Sequence, residues 1–291
     1  MLHIVSAMGY GDCLITLSLI EQLERPSPSE YQIIGTAVTA RVSALLNRPL
    51  PVTELLPDKA AFYTIKEDGP WKALQDLFSV RQSLHRLSQP GDIFAFERWD
   101  PRNVAIKPLR CLGIYAPNTH CAYSDRQTLV HELFGRAPEW APTEKPGSSI
   151  RSVVINPCAR YPHKWLTPEI VENILAISAQ RDWSVTLLDP CGHYGAFADR
   201  VKYIARPSLP DAASMLRASD LYIGADSFFI HLAYYYRIPL FGIFVPGNQD
   251  FLIPGMAQIG NFMDLNAARD RRELDQRLAA FVDRRATGKF A

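Results

Sequence analysis

A chain of 291 residues is long enough for two medium domains, each burying its own core. Its 31 basic and 30 acidic residues leave a formal charge of +1, which excludes nucleic-acid binding driven by the field of the whole molecule; attraction of an anionic ligand must be local. Five scattered cysteines (Cys13, Cys111, Cys121, Cys158, Cys191) without a C-x-x-C pair argue against a disulfide framework and a structural zinc site.

The chain opens with a short apolar strand, LHIVSA, a glycine turn, MGYGD, and a helical run, CLITLSLIEQLE, before a second strand, YQIIGTA. That order begins a parallel α/β sheet. A helix follows around WKALQDLFSVRQSLHRL, flanked by the short apolar stretches GDIFAFE and LRCLGIYA. Between Pro138 and Ser149, three prolines with glycine and serine discourage both helix and ladder, so a domain boundary is expected there, giving domains 1–148 and 149–291. The second domain starts afresh with the strand SVVINP. Thr167 and Pro168 then cap and open a helix whose apolar face is Ile170, Val171, Ile174, Leu175 and Ile177. WSVTLLDP reads as a strand, PDAASMLRASD as a helix, LYIGA as a strand, FFIHLAYYY as a helix and LFGIFVP as a strand. A terminal helix carries Leu274, Leu278, Phe281 and Val282 on one face and is free to return to the first domain. The expected fold is therefore α/β, two Rossmann-like doubly wound domains facing a central cleft. The absence of an apolar run of spanning length, with no signal-peptide pattern at MLHIVSAMGYGD, leads to the expectation of a soluble cytoplasmic protein.

In such sheets ligands bind beyond the carboxyl ends of the strands, where helix N-termini also point. Asp226 and Ser227 fall between strand LYIGA and the next helix, a seat for phosphate on unpaired N–H groups and about half a positive charge. A helix N-cap explains the same two residues, and a lone histidine one turn on, His231, is more often a packed or surface residue than a catalyst. NPCARYPHKW follows a strand on the same sheet and offers Arg160, His163 and Lys164 as cations for a diphosphate; a solvated basic loop is the plainer alternative. MGYGDCL contains G-x-G without the third glycine of a dinucleotide site. There Gly11 allows a tight turn and Asp12 opens a helix, either as its cap or as a base for an incoming hydroxyl. Glu97, Arg98 and Asp100 end another strand of the first domain and offer acceptor contacts or a reserve base. No D-x-D pair occurs, so a metal of the kind carboxylate pairs hold on sugar nucleotides is not expected.

These segments, in this order, resemble glycosyltransferase family 9, the ADP-heptose transferases of the two-domain GT-B fold. GYGDCLITLSLIEQL is similar to the family's opening G-D motif and helix, which places Asp12 on its general base. INPCARYPHKW is similar to its H-P-G and K-x-W segment, with Lys164 on the phosphate-binding lysine. ASDLYIGADSFFIHLAYYYRIPLFGIFVP resembles A-D-L-V-V-G-x-D-[ST]-G-x-x-H-L-A-A, with Asp226, Ser227 and His231 on its D, S/T and H. LLDPCG, with Asp189 and Gly192, sits where the family has a turn near the nucleotide. The chain departs from the pattern at Phe228, in place of a glycine, and at Asn156-Pro157-Cys158, in place of H-P-G. The resemblance implies an inverting, metal-independent transfer of a sugar from a nucleotide-diphosphate donor, ADP-heptose, to a glycan or lipopolysaccharide-core acceptor, with peripheral contact to the inner membrane. A different sugar-nucleotide donor, a catalytically silent binding protein and a nucleotide-sugar epimerase are the other readings.

Overall fold

The computed structural model describes residues 1–6, 9–22, 31–54, 56, 69–96, 119–120, 149–246 and 262–287. The chain divides into two compact units, Met1–Glu139 and Trp140–Ala291.

In the first unit, strands β1 (Leu2–Ser6), β2 (Tyr31–Gly35), β3 (Val52–Glu54), β4 (Ile93–Phe96) and β5 (Thr119–His120) form a parallel sheet in the order β3-β2-β1-β4-β5. The order reverses direction between β1 and β4, the place where open α/β sheets bind ligands. Helix α1 (Tyr10–Gln22) leaves the end of β1 and is buried continuously from Cys13 to Glu21, which is why CLITLSLI is apolar apart from the small hydroxyl residues Thr16 and Ser18. Its first helical residue is Tyr10, so Gly11, expected in a tight turn, is already helical, and Asp12 lies in the first turn. Helix α2 (Ala37–Ser43) is started by Thr36, which forms a reciprocal capping box with Thr39. Thr39 also donates to the Ser6 carbonyl at 2.7 Å, tying the helix to β1. A Cβ on Gly35 would lie 2.5 Å from that of Thr39, so only glycine lets the box close against β2. Helix α3 (Pro70–Leu87) precedes β4. Asp92 accepts from the Met1 amino group at 2.7 Å and the Gln89 amide at 2.9 Å, and lies 3.0 Å from His3 Nε2. The amino terminus first, then the His3 and Gln89 bonds, hold its carboxyl well below the usual range.

In the second unit, β6 (Ser152–Asn156), β7 (Ser184–Asp189), β8 (Lys202–Ala205), β9 (Leu221–Ala225), β10 (Leu240–Phe244) and β11 (Phe262–Asp264) are parallel in the order β11-β10-β9-β6-β7-β8. This is the doubly wound order of a Rossmann sheet, with its switch between β6 and β9. Thr167 caps α4 (Pro168–Gln180) by accepting the Ile170 amide at 3.4 Å, and Ile170, Val171, Ile174 and Ile177 lie fully in the core. Ser208 caps α5 (Leu209–Arg217), and α6 (Phe228–Tyr235) follows β9. The terminal helix α7 (Arg271–Thr287), for which a return to the first domain was open, buries Leu274, Leu278 and Phe281 in the core of the second unit. Phe281 lies against Phe241, and Asp275 pairs with Arg181 at 2.6 Å. The expected strand LRCLGIYA lies outside the described residues. Among the described residues, no helix is long and apolar enough to cross a membrane.

Candidate functional site

The switch between β6 and β9 collects four polar groups from three short segments. Strand β6 ends on Asn156, and the loop after it makes a short 3-10 turn at Pro162–Lys164. Strand β9 ends on Ala225, so Asp226 and Ser227 form the junction with α6. Lys164 Nζ donates to Asp226 Oδ2 at 2.6 Å, with the two side chains 23% and 13% exposed. Asn156 Nδ2 donates to Ser227 Oγ at 3.1 Å, and Asn156 Oδ1 accepts the Cys158 amide at 3.1 Å. Both strand ends are thus cross-linked at the mouth of α6, whose N-terminal dipole adds about half a positive charge. Ser227 has the extended backbone of an N-cap, yet its side chain makes no capping bond to α6. Its hydroxyl is committed to Asn156 instead.

Beneath this edge lies Tyr222, 0% exposed. Parallel register sets Asn156 opposite Gly224. A Cβ on Gly224 would come within 2.3 Å of the Tyr222 hydroxyl and 2.7 Å of the Asn156 carbonyl oxygen. Glycine is therefore required for the phenol to run along the strand toward the site. Burial pushes the Tyr222 phenol up, and the neighbouring Ser227 and Asn156 side chains offset part of that rise.

One strand further, Asp189 ends β7 and is 0% exposed. Its carboxylate accepts the amides of Gly192 and Tyr194 at 2.7 Å each, the Tyr203 hydroxyl at 2.7 Å and the Cys158 thiol at 3.4 Å. Burial pushes this carboxyl up, but the Tyr194, Tyr203 and Cys158 bonds outweigh it and leave the pKa lowered. The same contact pushes the Tyr203 phenol up to about 12. Gly192 has φ +74°, which calls for glycine in this turn, and the Arg206 guanidinium lies 3.2 Å from where a Cβ would be. Cys158, Asp189 and Cys191 offer ligand atoms within 4.8 Å of one another, and the four donors to the carboxylate, the Cys158 thiol among them, tie Asp189 into a hydrogen-bonded cluster that shapes the loop.

The structure thus brings Lys164, Asp226 and Ser227 together, and places Asp189 and Gly192 beside them in a scaffold rather than at the edge. Arg160 is exposed on the same loop, its guanidinium 5.7 Å from the Tyr161 ring, which stacks on His163 at 5.8 Å. His231 is half-buried one turn into α6. Asp12 is half-buried in the first unit, in the first turn of α1 beyond the end of β1. Glu97, Arg98 and Asp100 lie outside the described residues. Asn156 and Tyr222 were not foreseen as members of the site. The available signals were an asparagine closing an apolar strand and a tyrosine two residues before a strand glycine.

No protein-family model matches the sequence, nor does any curated protein sequence. Solved structures do match over nearly the full length. E. coli heptosyltransferase WaaC with ADP-2-deoxy-2-fluoro heptose aligns at TM-score 0.65 and 14% identity, covering 97% of this chain and 98% of that one. A glycosyl transferase family 9 protein from Veillonella parvula aligns at TM-score 0.61 and 12% identity, covering 99% and 97%. E. coli ADP-heptose lps heptosyltransferase II aligns at TM-score 0.57 and 14% identity, covering 97% and 98%. The chain has the GT-B fold of these glycosyltransferases.

Proposed function

We propose that this protein is a glycosyltransferase whose second unit holds a nucleotide-diphosphate sugar at the β6/β9 switch and whose first unit serves the acceptor. The observation that carries this reading is the pair of cross-links there, Lys164 to Asp226 and Asn156 to Ser227. They set an ammonium and a hydroxyl at the start of a helix, the chemistry that seats phosphate. Support for glycosyl transfer comes from the fold, and the solved relatives named with ADP-2-deoxy-2-fluoro heptose and as ADP-heptose transferases make ADP-heptose the donor of choice. A glycan or lipopolysaccharide-core hydroxyl is the matching acceptor.

The pairing of Lys164 with Asp226 leaves the seat close to neutral, so Asp226 does not present a bare negative charge to the diphosphate. On binding, the ammonium turns to the phosphates, and the Asp226 carboxylate, which repels them, accepts from a sugar hydroxyl. Arg160, exposed on the same loop, adds charge. In the transfer itself, Asp12 takes the proton of the acceptor hydroxyl, and that oxygen bonds to the anomeric carbon from the face opposite the leaving group. The anomeric C–O bond to the diphosphate breaks with its electron pair, and the configuration inverts. With no D-x-D pair in the chain, Lys164 and the α6 dipole carry the leaving charge.

Lys164→Ala is expected to weaken ADP binding by about 1.5–3 kcal/mol, the range for a hydrogen bond to a charged group. Isothermal titration calorimetry measures it, and unchanged affinity removes Lys164 from the site.

A further inference from the structure

Tyr222 is a tyrosine in the middle of a buried parallel strand, where an apolar residue would suffice. Its hydroxyl is fully buried and, among the described residues, makes no well-formed hydrogen bond, although the Ser227 and Asn156 side chains lie beside it. A buried hydroxyl left in that state carries the penalty of its lost water without return. The glycine two residues on gives the phenol room to reach the polar edge, so the sequence accommodates this hydroxyl where it could have omitted it.

Its neighbour Ser227 explains what the hydroxyl is for. A serine hydroxyl has one proton and two lone pairs. One lone pair of Ser227 receives the Asn156 amide, and the side chain does not cap α6. A ligand oxygen at the start of α6 is the acceptor suited to the serine proton. With the proton so directed, the second lone pair faces the protein and can receive the Tyr222 O–H. The phenol then completes a well-aligned hydrogen bond only when the site is filled.

We propose that Tyr222 is a positioning residue for a diphosphate: by donating to Ser227 it holds the serine proton on a phosphate oxygen, with Asn156 fixing the serine from the other side. This rests on the reading of the β6/β9 edge as the seat of a nucleoside diphosphate. The relay moves no covalent bond. On binding it turns a poorly aligned contact of the empty protein into a full hydrogen bond, and it strengthens the serine as a donor through chain polarisation.

The test uses the full-length protein, wild type, Tyr222→Phe, Ser227→Ala and the double variant. ADP affinity is measured by isothermal titration calorimetry, and melting temperature without ligand by differential scanning fluorimetry. Tyr222→Phe is expected to bind ADP about 3–10-fold more weakly, as for loss of one hydrogen bond. Its unliganded melting temperature should equal or exceed that of wild type, because the change removes an unsatisfied hydroxyl. In the Ser227→Ala background the same change should have no further effect on affinity. A merely structural tyrosine would lower the melting temperature and leave affinity alone. Equal affinity of wild type and Tyr222→Phe, or full additivity with Ser227→Ala, overturns the relay and spares the seat. Failure of wild type to bind ADP, UDP, GDP or CDP overturns the seat, and the relay falls with it.

Discussion

Asp12→Asn is expected to slow sugar transfer about 10²–10⁴-fold, the usual worth of a positioned general base, while leaving donor affinity unchanged. Asp12 belongs to the first turn of α1, directly beyond β1 at the switch of the first sheet, and is half-buried. Asparagine keeps the size of the side chain, and at the third helical position the change removes only the carboxylate's interaction with the helix dipole, about 0.3–1 kcal/mol, so the helix survives. What it loses is the ability to accept a proton as a carboxylate. Kinetics under saturating donor, paired with a calorimetric titration of ADP, separates the two functions. A variant that transfers within a few-fold of wild type assigns the base elsewhere. A variant with a lowered melting temperature and normal transfer makes Asp12 only a first-turn carboxylate that favours the helix dipole.

Asp189→Ala is expected to destabilise the second unit by about 3–5 kcal/mol, because four donors lose their acceptor and two of them, from Cys158 and Tyr194, are buried. The donors come from residues 158, 192, 194 and 203, so the carboxylate gathers the ends of β6 and β7 and the edge strand β8 around one point. Through Cys158 this cluster also touches Asn156, which holds Ser227, and so supports the candidate site from below. The pH dependence has a definite sign. The folded carboxyl has a lowered pKa, so its contribution is fully present above the unfolded value of about 3.9 and is lost as pH falls through the lower folded value. Urea denaturation of wild type and variant should show a constant gap at neutral pH that closes only in strong acid. A gap below about 1 kcal/mol at pH 7 would mean that the carboxylate is no keystone.

The elements legible in the sequence were those with a strong local signal. LYIGA matches Leu221–Ala225 residue for residue, because an apolar run set between helical patterns is unambiguous. Thr167 and Pro168 likewise mark the start of α4. Strands β8 and β11 went unread because they are short edge strands: both ends of β8 are exposed, and β11 has only three residues. Their strand character comes from the sheet beside them. The glycine of MGYGD pointed to a turn, yet the burial of α1 draws the helix back to Tyr10 and takes Gly11 into it. At the site, Lys164, Asp226 and Ser227 were legible because strand-to-helix junctions state their own chemistry. Asn156 and Tyr222 were not, since their roles depend on β6 lying beside β9 with Asn156 opposite Gly224, a register set 68 residues away in the chain. Asp189 shows the converse: D-P-C-G suggests a ligand turn, and the fold surrounds its carboxylate with protein donors.

The most direct test of the phosphate seat is a calorimetric titration of the wild-type protein with ADP, AMP and adenosine in parallel. A seat built from Lys164, Ser227 and the start of α6 predicts affinity falling at each loss of phosphate, with adenosine at least about tenfold weaker than ADP, a difference of about 1.4 kcal/mol. Adenosine binding as tightly as ADP would contradict it, as would failure of all three together with UDP, GDP and CDP.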